Sequence, residues 1–403
     1  MAAASYIKDN DESTPTYLAS ATGSERALGL RPSPSTPLAD LQDQYLFQSQ
    51  RIKLDLGARI WPVSTPCFGY KDTVEGVVSL TTLDHVKSVV VKVEATVEAF
   101  FTERGVPGGH TEIVLFQRSI QLYTNSPNSS GVALSYPFSI KFPTSCDEGT
   151  NPLPPSFVYS FPGVSAEVRY RVRVDMSRSG LRRRESLVVP ILYLPRSCTP
   201  ANNESLPPYS NRFGQSFEAQ GMEELPLVPR VQNGSKRNES PSSDIQAKIA
   251  LPSSLLVASG DRIPLIITIH SQSQALAALY TDISLQFVKF IIIKSPQKKS
   301  FREEVLALGE MHNEVELENG TRILRGELGG GVHGAELSWS ATGVIEVKHA
   351  IRIALKPPAS KASLSTNLPI FERTIPIEVM THRHTPKVDT ALPALGLIGI
   401  NTQ

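Results

Sequence analysis

The sequence predicts an all-β protein: two tandem antiparallel β-sandwich domains, immunoglobulin-like in kind, with a disordered N-terminal tail and an interdomain linker. Three observations carry this. Apolar residues recur with period two in run after run, and the first block contains no convincing segment of helical period. The 31 prolines punctuate the chain into short runs ending in Pro, Gly and Asn, which suits turns between strands. The runs fall into two blocks separated by a polar interruption, and 403 residues suffice for two cores.

Residues 1–45 are rich in Ser, Thr and Pro, and too little apolar surface recurs there to offset the entropy of ordering. The first sandwich is expected over 46–196. Ile52, Leu54 and Leu56 alternate with Lys53 and Asp55; Val74, Val78 and Leu80 share a side with Gly76 between them. Val89, Val91, Val93, Ala95, Val97, Ala99 and Phe101 face one way, against Lys92, Glu94, Thr96 and Glu98. The organising stretch is Leu153 to Met176. Its second half sets Ala166, Val168, Tyr170, Val172, Val174 and Met176 against Glu167, Arg169, Arg171, Arg173 and Asp175. Leu153-Pro154-Pro155 lacks two amide donors, so it reads as an extended lead-in, its end fixed by Phe157 and Phe161 packing inward.

Residues 197–243 read as a Pro/Ser/Asn-rich linker. The second sandwich is expected over 244–382. Ile263, Leu265, Ile267 and Ile269 share one face there, and Ile345, Val347, Ile351, Ile353 and Leu355 another. Residues 383–403 form a short tail whose apolar run from Ala391 to Ile400 is too short and too broken by Gly and Pro to span a bilayer.

The 40 Lys and Arg nearly cancel the 39 Asp and Glu, so any electrostatic function is local and no nucleic-acid partner is expected. Cys67, Cys146 and Cys198 are odd in number and widely spaced, which is neither a disulfide framework nor a zinc pattern. The first residues show no basic leader followed by an apolar core, so a cytoplasmic protein is expected. No His spacing suggests metal ligands; His349, on an apolar strand face, reads as a hydrogen-bonded core residue. No nucleophile elbow or phosphate loop is present, so no catalytic residue, cofactor or metal is expected.

In order and spacing these pieces resemble the arrestin fold, and specifically the α-arrestin or arrestin-domain family as it occurs in fungi. The resemblance rests on Tyr70 to Leu80, on Leu153-Pro154-Pro155-Ser156-Phe157 with Ala166 to Val172, and on Tyr193-Leu194-Pro195-Arg196. In the second half it rests on Leu251-Pro252, Gly260 to Leu265, Gly343 to Val347 and Ile375 to Val379. It implies a non-enzymatic adaptor that links cytoplasmic segments of membrane transporters or receptors to a WW-domain ubiquitin ligase of HECT type, at the plasma membrane or endosomes. The alternative is a cargo-sorting scaffold, as arrestin-fold retromer subunits are, acting without a ligase.

Two candidate sites follow. Leu206, Pro207, Pro208 and Tyr209 match the family's Leu/Pro-Pro-x-Tyr motif. Consecutive prolines hold a polyproline II conformation that docks in a WW domain's aromatic groove at little entropic cost, with Tyr209 in a neighbouring pocket. The second is a basic face of Arg169, Arg171, Arg173, Arg178, Arg182, Arg183 and Arg184, suited to phosphorylated cargo tails or acidic lipid headgroups through bidentate bonds. The plain alternative for that face is a solvated sheet surface.

Overall fold

The computed structural model describes residues 43–103, 106–125, 133–180, 184–201, 221–230, 244–317, 319–357, 368–386 and 388–400. Residues 1–42 of the expected tail and most of the expected linker lie outside these.

The first block forms β1 (Gln44–Gln48), β2 (Ile52–Ala58), β3 (Cys67–Phe68), β4 (Thr73–Leu80), β5 (Val86–Glu103), β6 (Val106–Thr124), β7 (Ser135–Lys141), β8 (Phe157–Phe161), β9 (Val164–Arg178) and β10 (Glu185–Tyr193). One sheet runs β1-β2-β4-β7; the other runs β3-β10-β9-β5-β6, with β8 beside β9. Ile52, Leu54, Val74 and Val78 from the first sheet share a core with Val91, Val93, Tyr170 and Val172 from the second, so the sheets face each other across it. A Cβ on Gly76 would lie 2.5 Å from the Asp55 carbonyl oxygen, which is why a glycine interrupts the apolar face of β4.

Leu153, Pro154 and Pro155 are buried without joining a strand, as two missing N-H groups require. Tyr170 fixes them: its buried hydroxyl donates to the Pro154 carbonyl at 2.5 Å. Its ring packs among Phe116, Phe142 and Tyr193, with their centroids 5.1 to 6.1 Å from its own. Phe157 and Phe161 pack against the first core as expected, and Phe157 pairs opposite the buried Val168. Phe157 is half-buried and meets the Trp339 ring of the second block edge-on, centroids 5.0 Å apart.

The second block forms β11 (Met222–Pro226), β12 (Val228–Arg230), β13 (Ile245–Pro252), β14 (Leu256–Ala258), β15 (Arg262–Ser271), a short helix α1 (Gln274–Ala278), β16 (Asp282–Lys294), β17 (Lys299–Leu317), β18 (Thr321–Gly329), β19 (Trp339–Ala341), β20 (Ile345–Lys356) and β21 (Ile370–Met380). Their pairing is one path, β11-β13-β15-β18-β17-β16-β20-β21-β12, with β14 beside β21 and β19 beside β20. The path folds over on itself. Leu308 of β17 pairs with Gln286 of β16, and the next residue, Gly309, pairs with Leu328 of β18, so one strand serves both layers. A Cβ at Gly309 would lie 2.1 Å from Leu285 Cδ2, so any larger residue at the crossing point would displace the Leu285 side chain. At the other edge β11 pairs with β13 and β12 with β21, with Leu227 buried between them. Ile263, Leu265 and Ile267 meet Phe287, Ile351 and Ile353 in the core so enclosed.

Met222–Arg230 thus departs from the linker reading. Pro226 and Pro229 sit on edge strands, where a missing amide leaves no ladder bond unmade. The blocks also share packing: Ile291, Ile293, Ile345 and Val347 belong to the first core, and residues 43–403 form one compact unit.

The expected tail folds back across the first sandwich. Tyr70 N donates to Thr390 O at 3.1 Å and Ala394 N to Leu194 O at 2.9 Å, while Leu395 is buried with Cys67 and Leu194. Gly69 makes room for it, since a Cβ there would lie 2.0 Å from Ala391 O. No helix among the described residues is long and apolar enough to cross a membrane.

Candidate functional site

The outer face of β9 carries the arginines that the sequence singles out, but β5 lies beside it and neutralises them. Arg171 pairs directly opposite Glu94, with Nε 2.5 Å from Oε1. Glu98 stands opposite Glu167, and Lys92 opposite Arg173, which taken alone would be repulsive. Diagonal and same-strand contacts resolve both clashes. Arg169 bridges Glu167 at 2.7 Å and Glu98 at 3.5 Å, while Asp175 takes Arg173 at 2.7 Å and Lys92 at 3.2 Å. Four cations therefore meet four carboxylates. Burial pushes the Asp175 carboxyl up, but hydrogen bonds from Arg173, Ser186 and Lys92 outweigh it and hold the group below the usual carboxylate range.

Of the remaining arginines, Arg178 donates to the Asp84 carbonyl at 3.5 Å and Arg184 is exposed at the β9–β10 turn. Arg182 and Arg183 lie outside the described residues, as do Leu206, Pro207, Pro208 and Tyr209. Among the described residues, Arg184 stands exposed outside the β5–β9 ladder.

A buried polar chain lies near the junction of the sandwiches. His349 on β20 is stacked on Phe287 and 1 % exposed. Its Nε2 is 3.1 Å from Glu336 Oε2, and its Nδ1 is 2.9 Å from Ser338 Oγ. A carboxylate only accepts, so Nε2 carries a proton directed at Glu336. Ser338 Oγ in turn accepts from Val379 N at 3.0 Å, and Lys289 Nζ lies 3.0 Å from Glu336 Oε2. Burial raises the Glu336 carboxyl, but His349 and Lys289 outweigh it and its pKa falls below the usual range. The order serine, histidine, carboxylate is that of an acyl-transfer triad. Here, however, Lys289 already balances the carboxylate, and the serine oxygen already receives an amide N-H. The chain ties β19, β20 and β21 together.

No protein-family model matches the chain. No curated protein matches it either.

Among the described residues the three cysteines are free thiols, and burial pushes the Cys67 thiol up to about 12. His382 and Arg383 serve as local partners: His382 Nδ1 is 2.9 Å from Thr381 Oγ1, and Arg383 Nε donates to Asp261 at 2.6 Å. One grouping escaped the reading of histidine spacings. An irregularity in β17 between Met311 and Asn313 brings Glu310 and His312 beside Glu327 of β18, their ligating atoms within 4.8 Å of one another. Arg262 already forms an ion pair with Glu327, and His312 lies 3.4 Å from the same carboxylate. Spacing along one strand could not reveal it, because the third member arrives from the neighbouring strand.

Proposed function

We propose that the chain is a non-enzymatic, arrestin-like adaptor in membrane-protein trafficking. In this reading the sandwiches hold a cytoplasmic segment of a transporter or receptor, and Leu206 to Tyr209 recruits a WW-domain ubiquitin ligase of HECT type. The observation that carries it is the placing of Leu206-Pro207-Pro208-Tyr209 between the last strand of one sandwich, ending at Tyr193, and Met222, where the strands of the other begin. A polyproline II tetrapeptide in an interdomain connection docks without disturbing either core. The order of strand motifs that resembles the arrestin-domain family supports the same reading.

With Arg169, Arg171 and Arg173 matched by carboxylates, an acidic partner, whether a phosphorylated cargo tail or a lipid headgroup, meets Arg184, exposed beside the start of β10, with Arg182 and Arg183 next to it in the sequence. Recruitment to the plasma membrane or endosomes follows from such contacts. The test is a pull-down of the full chain with isolated WW domains. Binding is expected for the unmodified chain and lost with Tyr209→Ala; equal capture of both removes the ligase from the proposal. Cargo association that persists with no WW binding in either form would favour the sorting scaffold.

A further inference from the structure

The cleft between the sandwiches encloses a cavity of about 470 Å³, within the range of roughly 300–1,000 Å³ typical of small-molecule sites. Its walls come from both blocks: Leu153, Pro155 and Tyr193 from the first, Trp339 and Met380 from the second. Thr390, on the returning C-terminal segment, completes them. Such walls suit an apolar body.

The polar lining is asymmetric. Arg196 is the one cation and Glu378 the one carboxylate among the described lining residues. Glu378 is exposed, so it stands at the mouth. Arg196 is partly buried. Its Nη2 reaches the Pro393 carbonyl only at 3.5 Å, and its Nε is shielded from water with no hydrogen-bond partner. Arg196 has no carboxylate partner among the described residues, and a carboxylate presented from the cavity to its guanidinium matches its charge best. Neighbouring groups register the same positive field. His382 is held down at about 4, by burial first and by Arg196 and His333 next; burial raises the Cys198 thiol, while Arg196 pulls it back.

We propose that this cleft binds a small amphipathic monocarboxylate, its apolar body against Trp339 and its carboxylate on Arg196. The carboxylate at the mouth disfavours a second negative charge on the ligand. The proposal is independent of the adaptor reading, because it uses neither Leu206 to Tyr209 nor the arginines of the β9–β10 turn.

The chain contains two tryptophans, Trp61 and Trp339. In full-length protein carrying Trp61→Phe, Trp339 alone reports on the cavity. Titration with decanoate is expected to change its emission saturably below about 1 mM, and 3-phenylpropionate, compared alongside, tells an aliphatic from an aromatic body. Decanol and the Arg196→Gln variant should each weaken binding about tenfold, the loss of one charge-assisted pair. Equal binding of decanol and decanoate, equal binding by Arg196→Gln with its β-sheet circular dichroism intact, or no saturable change with either acid overturns the proposal. Should Arg196→Gln fail to fold, Cys198, which lines the same cavity, provides a second measurement in the unmodified chain. Decanoate should slow its alkylation and decanol should not; equal rates with and without decanoate overturn the proposal as well.

Discussion

Glu94 and Arg171 stand directly opposite each other on β5 and β9, 2.5 Å apart between Oε1 and Nε, and Glu94 is only 7 % exposed. The pair is the most desolvated rung of the charged ladder. Removing the cation leaves a nearly buried carboxylate without its hydrogen-bonded partner, offset only by the more distant Arg173. Arg171→Ala is therefore expected to cost about 2–3 kcal/mol of stability, read as a lower urea midpoint. Arg169→Ala, at the better-hydrated end, should cost under about 1 kcal/mol. Equal effects would mean that burial of Glu94 does not set the energy of this face.

Tyr170 offers a sharper test of the first core. Its hydroxyl is the hydrogen-bond donor that holds the Pro154 carbonyl. Tyr170→Phe keeps the ring among Phe116, Phe142 and Tyr193 but leaves a buried carbonyl unmatched, so a loss of about 1–2 kcal/mol is expected. Because Leu153 and Pro155 line the interdomain cavity, the same variant should loosen that wall. Hydrogen exchange at Ser156, whose amide is bonded to Tyr193 O at 2.8 Å, should rise. Unchanged exchange there would detach the hydroxyl from any role in positioning the lead-in.

These two cases show what period two conveys and what it omits. The alternation of Val168, Tyr170, Val172 and Val174 fixed which side of β9 is buried, because parity alone decides it. The arginines on the other side looked like a basic face for the same reason: one strand read alone hides its neighbour. Glu94 and Glu98 were legible on their own strand, and only the register joins them to Arg171 and Arg169. β17 was missed altogether. Its 19 residues lie on one edge of each layer, pass through irregularities at both pairings and remain largely exposed, so no single apolar parity runs along it. The lining of the central cavity was illegible for a further reason, since Tyr193, Trp339 and Thr390 meet only through the fold.

The returning C-terminal segment makes Gly69 a position of unusual sensitivity. Any side chain there meets the backbone of Ala391 and Leu392, which cannot retreat as a flexible side chain could. Gly69→Val is expected to displace residues 388–400 and uncover Cys67, whose thiol packs with Leu395 and is otherwise held protonated up to about 12 by burial. Alkylation of Cys67 at pH 8, negligible in the unmodified chain, should become measurable in the variant, with proteolysis appearing after residue 385. A Cys67 that stays inert while the segment is cleaved would place its protection in the sandwich itself.

His382 gives a pH dependence whose sign can be worked out. Its ordinary pKa of 6.5 falls to about 4 in the folded chain, through burial first and then the nearby Arg196 and His333. Between those values the unfolded chain binds the proton more readily than the folded one. The stability due to the neutral ring is thus fully present above pH 6.5 and lost as the pH falls toward 4. Half-burial screens the effect, so about 1–2 kcal/mol is expected to disappear between pH 7 and pH 4.5. Glu336 and Asp175, whose carboxyls are held below their usual range, lose most of their contribution below pH 4.5, and comparison with a chain lacking the imidazole isolates the histidine's share. Urea denaturation at the two pH values, repeated with His382→Gln, measures it. The variant should show the smaller difference; equal slopes in both chains would show that the proton is taken up elsewhere.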